Sequence, residues 1–417
     1  MKKEWPLHVH IFILFIWVFP VVDFLNGIFL TSGYSIPVGI LYRFCFFFFL
    51  LYVVVTGPFV KSKFTMLISL FILGNASIFL IQGIVLQNAL VWLVKDAIVF
   101  VKYFLWALIP YYFFQYKKIF KEVNIEALFL WISSLFTIEL IIPYFLGIGY
   151  QTYGYSDAGY KGFFFANNDT SLAFMVSITF TAQALLSNLQ KTWNLRVLFL
   201  TLLLFGNLFS LLLLGTKTGI VYGVLVYLFL MFYLLFKARY PTALYKITIW
   251  LISFFSCSWI VLFGFRYIID LIQGTYERIV YFYYLYDGNL LLLLTSSRSH
   301  FLESGWHFFL SDKHAIFTLF FGQGFEYRLE HFERLGLIEM DFFDALFGLG
   351  IFGVILLLLL LGHFIFKAFQ SSKRSIYSVA IIIMIGYSFF AGHVLFSALS
   401  STLLGLVCGG MILQEKE

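Results

Sequence analysis

Long apolar segments recur along almost the whole chain, and they constrain its fold more than any other feature. Many reach the roughly 20 residues that an α-helix needs to cross the hydrocarbon core of a bilayer. Of the 417 residues, 62% are hydrophobic and 12% are charged, whereas soluble domains have about 25% charged residues. The sequence therefore predicts an integral membrane protein of the all-α class, a polytopic transmembrane helical bundle. About twelve spans are predicted, near residues 8–30, 36–60, 64–86, 89–116, 124–148, 167–187, 193–214, 217–236, 244–265, 345–366, 376–392 and 394–413.

Basic residues are distributed unevenly among the loops that join these spans. They cluster before the first span, at Lys2, and in alternate loops such as those that contain Lys61 and Lys117. The short loops of the opposite set contain only Lys161 and Lys217. Because basic residues accumulate in cytoplasmic loops, both termini are predicted to be cytoplasmic.

One long segment, from residue 266 to residue 344, interrupts the series of spans. It is rich in tyrosine, phenylalanine and histidine, whereas disordered segments are poor in aromatic residues. Short amphipathic helices on the outer leaflet are expected here. The chain is thus predicted to contain nine spans in 1–265, a large external loop with the active site in 266–344, and three spans in 345–417.

Four short motifs occur in a consistent order along the chain. They are "FFFANNDTSLAF" at Phe163–Phe174, "LLLGTKTGIVYG" at Leu212–Gly223, "RSHFL" at Arg298–Leu302 and "EMDFFDALFGLGIFG" at Glu339–Gly353. The third is followed by the glycine-bearing "FFGQGF" at Phe320–Phe325. Together with the topology, these motifs resemble the Wzy-like O-antigen polymerase and O-antigen ligase family.

The resemblance implies a bacterial membrane glycosyltransferase of the GT-C-like type. Its active site would lie at the outer face of the cytoplasmic membrane, and its donor would be an undecaprenyl diphosphate-linked oligosaccharide. Ligases of the family carry a histidine where this chain has Glu339, and this difference favours a polymerase of repeat units. The expected partners are the lipid-linked oligosaccharide, membrane lipid, a chain-length regulator and a flippase. Neither a cofactor nor a nucleic acid is expected.

Such a reaction needs cationic groups for the leaving diphosphate. Arg298 is the first candidate, because a guanidinium can bind phosphate oxygens in a bidentate manner. Lys217, which stands where arginine is commoner in the family, and His300 are further candidates for diphosphate binding. The alternative for Arg298 and Lys217 is that their side chains reach lipid headgroups at the membrane surface.

The reaction also needs a base for the acceptor hydroxyl. Glu339, Asp341 and Asp344 are the candidate catalytic carboxylates, since apolar surroundings raise the pKa of a carboxyl toward neutrality. The alternative is a structural one: acidic residues at the start of a helix interact favourably with its dipole.

Sugar binding is assigned to residues of the outer loops. The candidates are Lys161, Tyr160, Trp306 and Tyr327, and Tyr155 is a further tyrosine of the same kind. The four histidines of the 266–344 segment lack the compact spacing of a zinc signature, so no metal site is predicted.

Within the predicted spans, ionisable residues indicate a polar interior, because such groups are costly in a bilayer. Lys95 and Lys102 share a helix face and are expected to meet either an acidic partner or the diphosphate. Asp23 and Arg43 are interpreted as a structural pair.

Two other functions stay open. A ligase would transfer finished glycan to a different acceptor and would need the same site. A lipid-linked oligosaccharide flippase belongs to a different class and can have a similar number of spans. Transporters often contain two repeated halves, and the sequence shows no convincing internal repeat.

Overall fold

The computed structural model describes most of the chain, namely residues 5–33, 37–154, 158–189, 194–238, 240, 242–259, 265–370 and 375–414. Lys2 and Tyr155 lie outside the described residues, as do residues 260–264 at the end of the ninth predicted span. The α-helices are α1 (Leu7–Thr31), α2 (Val38–Thr56), α3 (Lys63–Val85), α4 (Leu90–Gln115), α5 (Lys117–Phe120), α6 (Ile125–Phe145), α7 (Asn167–Leu189), α8 (Leu195–Leu214), α9 (Lys217–Phe232), α10 (Ala243–Trp259), α11 (Phe265–Leu285), α12 (Leu290–Thr295), α13 (Arg298–Leu310), α14 (Ala315–Phe321), α15 (Phe325–Phe332), α16 (Asp341–Gln370), α17 (Ile376–Phe390) and α18 (Ala398–Gln414).

Other regular structure is short. A π-helix at Tyr233–Lys237 continues α9, and a 3₁₀ turn at Glu333–Gly336 follows α15. Strands β1 (Tyr150–Gln151) and β2 (Tyr160–Gly162) pair in antiparallel orientation. The fold is therefore helical, as the sequence predicts.

The long apolar helices confirm a multi-pass membrane protein. Among the described residues, nine helices are long and apolar enough to cross a membrane. Three further predicted spans correspond to α10, α17 and α18, which have 17, 15 and 17 residues. The count of twelve spans, the side on which the termini lie and the external position of 266–344 stay predictions.

Polar residues define where several of the apolar helices begin. The side chain of Ser62 accepts a hydrogen bond from the backbone N–H of Thr65 (3.0 Å), and Asn194 accepts one from Val197 (3.0 Å). These residues cap α3 and α8, because the first N–H groups of a helix have no partner within it. The loops before α3 and α8 thus contribute the residues that start these two helices.

The chain forms two compact units. The first comprises Met1–Ile11, Pro37–Val123 and Tyr286–Glu417, and the second comprises Phe12–Ile36 and Asn124–Leu285. The division of the chain at residues 265 and 344 stays a prediction.

In the first unit, α18 packs along α4. A Cβ atom at Gly409 would lie 2.6 Å from Cδ2 of Phe113, and one at Gly405 would lie 2.9 Å from Cδ1 of Ile109. Small residues allow this close helix approach, as is typical of membrane bundles. The side chains of α18 are consequently almost all buried.

In the second unit, a buried polar cluster joins α6, α7 and α8. The amide of Asn207 donates to Ser133 Oγ (2.9 Å) and to the carbonyl of Leu203 (2.8 Å). Ser133 Oγ in turn lies 3.3 Å from Thr181 Oγ1. Hydrogen bonds between spans satisfy polar groups that neither lipid nor apolar packing can satisfy, so this cluster fixes the register of the three helices.

The segment from Tyr286 to Met340 belongs to the first unit and consists of short helices. These are α12, α13, α14 and α15, followed by the 3₁₀ turn and by α16. Short helices, as predicted for residues 266–344, are therefore present from Tyr286 onward. The helix that begins the predicted external segment, α11, is longer, with 21 residues. All of the candidate residues from Arg298 to Asp344 thus lie within one compact unit.

Candidate active site

The turn between α12 and α13 sets the position of Arg298. The side chain of Asn289 caps α12, and the helix ends at Thr295 and is followed by Ser296, which has φ = 54°. Ser297 follows with φ = 68°, and its hydroxyl is hydrogen-bonded to Tyr286. The left-handed region is energetically costly for residues other than glycine, and here two successive serines adopt it. Contacts with the surrounding residues must therefore stabilise the turn. It makes Arg298 the first residue of α13.

Arg298 forms an ion pair with Glu339. Its Nη2 donates to Glu339 Oε2 at 2.9 Å, and its Nη1 lies 3.5 Å from the carbonyl of Thr295. The arginine side chain is 11% exposed and that of Glu339 is 30% exposed. Arg298 Nε is buried and has no hydrogen-bond partner among the described residues. The structure thus brings together a predicted diphosphate ligand and a predicted base.

The backbone at Glu339 is held in an unusual conformation. Its φ is 62°, and Gly392, also with φ = 62°, packs against its carbonyl group. A Cβ atom at Gly392 would lie only 2.2 Å from the carbonyl oxygen of Glu339. This close approach requires glycine, because any side chain there would displace Glu339.

Asp341 and Asp344 occupy a different environment from Glu339. Both are buried, at 1% and 6% exposure. Asp344 accepts hydrogen bonds from the backbone N–H groups of Ile338 (2.8 Å) and Met340 (3.2 Å). These bonds fix the turn before α16, and they give Asp344 a structural contact in addition to its place in the first turn of the helix.

Asp341 makes equivalent contacts on another segment. Its Oδ2 accepts from Ser388 Oγ (2.6 Å), from the N–H of Val394 (2.8 Å) and from that of Leu395 (3.2 Å). The side chain therefore joins the start of α16 to the segment after α17. Catalytic roles for Asp341 and Asp344 stay predictions.

Behind these residues, two glycine motifs pack backbone against backbone. Gln323 N–H donates to the carbonyl of Phe347 (2.9 Å), and Gly324 N–H donates to that of Gly348 (3.1 Å). Helix α16 is interrupted at Gly350, which has φ = 69° and ψ = −174°. A Cβ atom there would lie 2.4 Å from the carbonyl of Phe320. The "FFGQGF" and "FGLG" sequences thus form one junction that only glycine permits.

An open groove of about 340 Å³ lies between α13 and the start of α16. Ser299, Leu302, Glu303, Trp306 and His307 line one side, and their spacing places them on one face of α13. The other side is lined by Phe343.

A comparison with known protein families shows to which family the chain belongs. The model of the O-antigen ligase like membrane proteins matches residues 7–263 and 281–417. The chain belongs to this family. The comparison with curated proteins gave no match. Family membership implies a membrane enzyme of the glycosyltransferase type, concerned with polysaccharide ligation or polymerisation.

In this O-antigen ligase like protein, Trp306 and Tyr327 lie in different surroundings. Trp306 packs against Phe347, with ring centroids 5.9 Å apart, and 43% of the residue remains exposed. Tyr327 stacks on His331 at 4.0 Å. Burial, and secondly the charge of Asp312, raise the pKa of Tyr327. His300 is exposed on α13.

Three predicted site residues belong to the second unit. Tyr160 donates to the carbonyl of Ile148, and Lys161 donates to that of Phe165 (3.1 Å). Burial raises the pKa of Tyr160 to about 12 and lowers the pKa of Lys161. Lys217 is the first residue of α9. Their sugar-binding and diphosphate-binding roles stay predictions.

Arg328 was missed by the sequence analysis. It is 2% exposed, and it donates to Gln323 Oε1 (2.7 Å) and to the carbonyl of Gly336 (3.0 Å). Its guanidinium lies 4.6 Å from the ring centre of Phe347. Burial lowers its pKa to about 10, and the charge of Asp344 partly opposes this effect. Because Arg328 lies in the charged sequence "FEYRLEHF", it looks like part of a solvated helix face.

Lys95 and Asp96 connect α4 to α15. Lys95 forms ion pairs with Glu326 and, at 3.4 Å, with Glu330. Asp96 Oδ1 accepts from the N–H of Glu326 (2.8 Å) and so satisfies a donor in the first turn of α15. Of the two partners expected for Lys95, the structure shows the acidic one.

Metal binding has no structural support in the part of the chain that is described. Within it, no three histidine, cysteine, aspartate or glutamate side chains are grouped so that they could hold a metal ion.

Proposed function

We propose that the protein is a polymerase of polysaccharide repeat units. It would transfer a growing glycan from undecaprenyl diphosphate to a sugar hydroxyl of the next lipid-linked repeat unit. The reaction would take place at the outer face of the bacterial cytoplasmic membrane. Family membership supports the general class, and the ion pair between Arg298 and Glu339 supports the chemistry.

The ion pair offers both groups that the transfer needs. A diphosphate carries more negative charge than one carboxylate and can accept two parallel hydrogen bonds from a guanidinium. Arg298 has a buried Nε without a partner among the described residues, so it can gain a hydrogen bond when the substrate arrives. In this proposal the diphosphate displaces Glu339 from Arg298.

The displaced carboxylate of Glu339 then acts as the base. The acceptor hydroxyl oxygen forms a bond to the anomeric carbon of the donor, and its proton passes to Glu339. The bond between the anomeric carbon and the diphosphate oxygen breaks, and undecaprenyl diphosphate leaves with the electron pair. Arg298 stabilises the charge on this leaving group. The donor is already activated, so no nucleotide sugar is required.

A ligase is the second candidate, because the matching family model describes ligase like proteins. The two activities differ in the acceptor, and the carboxylate at position 339 is the reason to prefer the polymerase. The motif resemblance implies that ligases of the family carry a histidine at this position. A chain-length regulator and a flippase would act with the polymerase.

Genetic complementation tests the proposal. A strain without this protein is complemented with wild type, with Arg298→Ala and with Arg196→Ala, at equal expression. Arg196→Ala is the control, because this arginine is exposed at the start of α8. We expect single lipid-linked repeat units to accumulate at the outer face with no protein or with Arg298→Ala, and long glycan with the other two proteins.

Two other outcomes would contradict the proposal. Accumulation of units at the cytoplasmic face of the strain without the protein would indicate a flippase. Accumulation of long lipid-linked chains in that strain would indicate a ligase.

A further inference from the structure

The groove along α13 begins at the residue that follows Arg298. Its lining residues Ser299, Leu302 and Trp306 lie on one face of the helix. Arg298 itself is paired with Glu339, which precedes the lining residue Phe343 by four positions. Our proposal is that a molecule whose diphosphate is bound by Arg298 extends its next chemical group along this groove. That group is either the first sugar residues or the lipid.

Trp306 is held in one orientation while nearly half of it stays open. Its ring packs against Phe309 and Phe347, with centroids 6.2 and 5.9 Å apart. Phe309 and Phe347 belong to a buried core cluster, against which Leu302 and Phe343 also pack. The floor of the groove is thus a rigid apolar surface with an exposed indole, 43% of which is accessible. A fixed indole ring with this much accessible surface is suited to stacking against the C–H face of a sugar.

Polar groups of the groove lie beside this ring. Glu303 and His307 are exposed and occupy neighbouring turns of α13, and Ser299 adds a hydroxyl. A carboxylate accepts hydrogen bonds from sugar hydroxyl or amino groups, whereas a hydrocarbon chain gains nothing from it. The described residues that line the groove include this carboxylate and no lysine or arginine. An acidic sugar would therefore meet a like charge without compensation from the lining.

We propose that this groove is a saccharide subsite that takes a neutral or amino sugar and disfavours an acidic one. Trp306 is the stacking surface, and Glu303 and His307 bind the polar groups of the sugar. The subsite rests on the proposed function, because the sugar it holds would be part of the lipid-linked repeat unit.

The test uses the full chain in lipid nanodiscs and ligand-observed NMR titration. The probe is a free oligosaccharide. Mild acid releases it from the lipid-linked repeat units of the strain that lacks this protein. We expect binding to weaken about tenfold in Trp306→Ala and less in Trp306→Phe. Trp131→Ala should bind as wild type does, since Trp131 is equally open, at 45%, but lies in the second unit.

The charge preference is tested with a pair of disaccharides, one neutral and one that carries a uronic acid. Wild type should prefer the neutral compound, and Glu303→Gln should reduce the preference by about threefold or more. Thermal unfolding of every variant shows whether it is folded.

Several results would overturn the subsite. Equal oligosaccharide binding by wild type and folded Trp306→Ala would do so, and so would a charge preference that is unchanged in Glu303→Gln. Farnesyl diphosphate is the lipid probe, and Trp306-dependent binding of its prenyl chain instead of the sugar would assign the groove to lipid.

Failure of the subsite can be told apart from failure of the proposed function. Trp306-dependent oligosaccharide binding by a protein that does not polymerise would reject the polymerase and support the subsite. Polymerisation with oligosaccharide binding that does not depend on Trp306 would reject only the subsite.

Discussion

Arg298 and Arg328 are two buried arginines of the first unit, and they differ in what holds them. Arg298 is paired with the partly exposed carboxylate of Glu339. Each guanidinium has one buried nitrogen without a hydrogen-bond partner among the described residues, Nε in Arg298 and Nη2 in Arg328. Arg328 donates to the side chain of Gln323 and to a backbone carbonyl, and its charge lies over the ring of Phe347.

The two arginines differ in whether their hydrogen-bond partners can separate from them without being left buried and unpaired. A carboxylate that is 30% exposed can be hydrated when it separates from Arg298. By contrast, separation of Arg328 from its partners would leave buried polar groups unpaired. Arg298 is therefore expected to serve substrate binding, and Arg328 to serve folding.

The largest expected effect is on the activity of Arg298→Ala. The rate of glycan transfer should fall by about a thousandfold, because a donor to the charge of the leaving group is lost. The free energy of unfolding should fall by only about 1 kcal/mol, since Glu339 becomes hydrated. Initial rates and thermal unfolding of the purified protein measure the two quantities. Strong unfolding of Arg298→Ala would break the distinction between the two arginines.

Arg328→Ala should show the opposite pattern. We expect a loss of about 3 kcal/mol in unfolding free energy, because Gln323 and the carbonyl of Gly336 lose their donor and a cavity forms. Arg328→Lys keeps the charge and should lose less. Any reduction in activity should follow the folded fraction measured by thermal unfolding. A fully stable Arg328→Ala with no activity would instead place Arg328 in the chemistry.

Glu339 and Asp344 are expected to differ in the same way, the first in activity and the second in stability. Glu339→Gln should lower the turnover rate by about a hundredfold with little loss of stability. Asp344→Asn should lower the free energy of unfolding by about 1–2 kcal/mol, because Ile338 and Met340 lose a charged acceptor. Turnover at saturating substrate and unfolding are measured for both variants. If folded Asp344→Asn loses turnover as Glu339→Gln does, then Asp344 and not Glu339 alone is needed for proton transfer.

The smallest expected effect separates two glycines of α16. Gly350→Ala should lower the free energy of unfolding by about 2 kcal/mol, because φ is positive and Cβ would meet the backbone of Phe320. Gly362 has open space around it, so Gly362→Ala should gain roughly 0.5–1 kcal/mol from helix propensity. Thermal unfolding compares the two, and equal effects would show that the glycine junction does not support the fold.

The length of the apolar runs was enough to predict the long helices. The predicted spans at 36–60 and 64–86 correspond to Val38–Thr56 and Lys63–Val85. The span predicted near residues 345–366 lies within α16, which begins at Asp341. The helix begins earlier than the apolar run because its first turn contains Asp341 and Asp344, which a hydropathy pattern excludes from a span.

The candidate site was less predictable than the helices. The sequence places an arginine and an acidic cluster in one segment, but only the fold shows that Glu339 meets Arg298 while Asp341 and Asp344 bind backbone N–H groups. Gln82 shows the limit most clearly. Its amide bonds the carbonyls of Phe321 and Gly348, residues more than two hundred positions away. No local pattern carries information about such contacts.

The most direct test uses the purified protein in nanodiscs with one substrate, the undecaprenyl diphosphate-linked repeat unit. We expect wild type to convert this unit into a ladder of lipid-linked chains and to release undecaprenyl diphosphate, and Arg298→Ala to leave it unchanged. A ladder of equal length from Arg298→Ala, or no product from wild type until a separate glycan acceptor is added, would contradict the account.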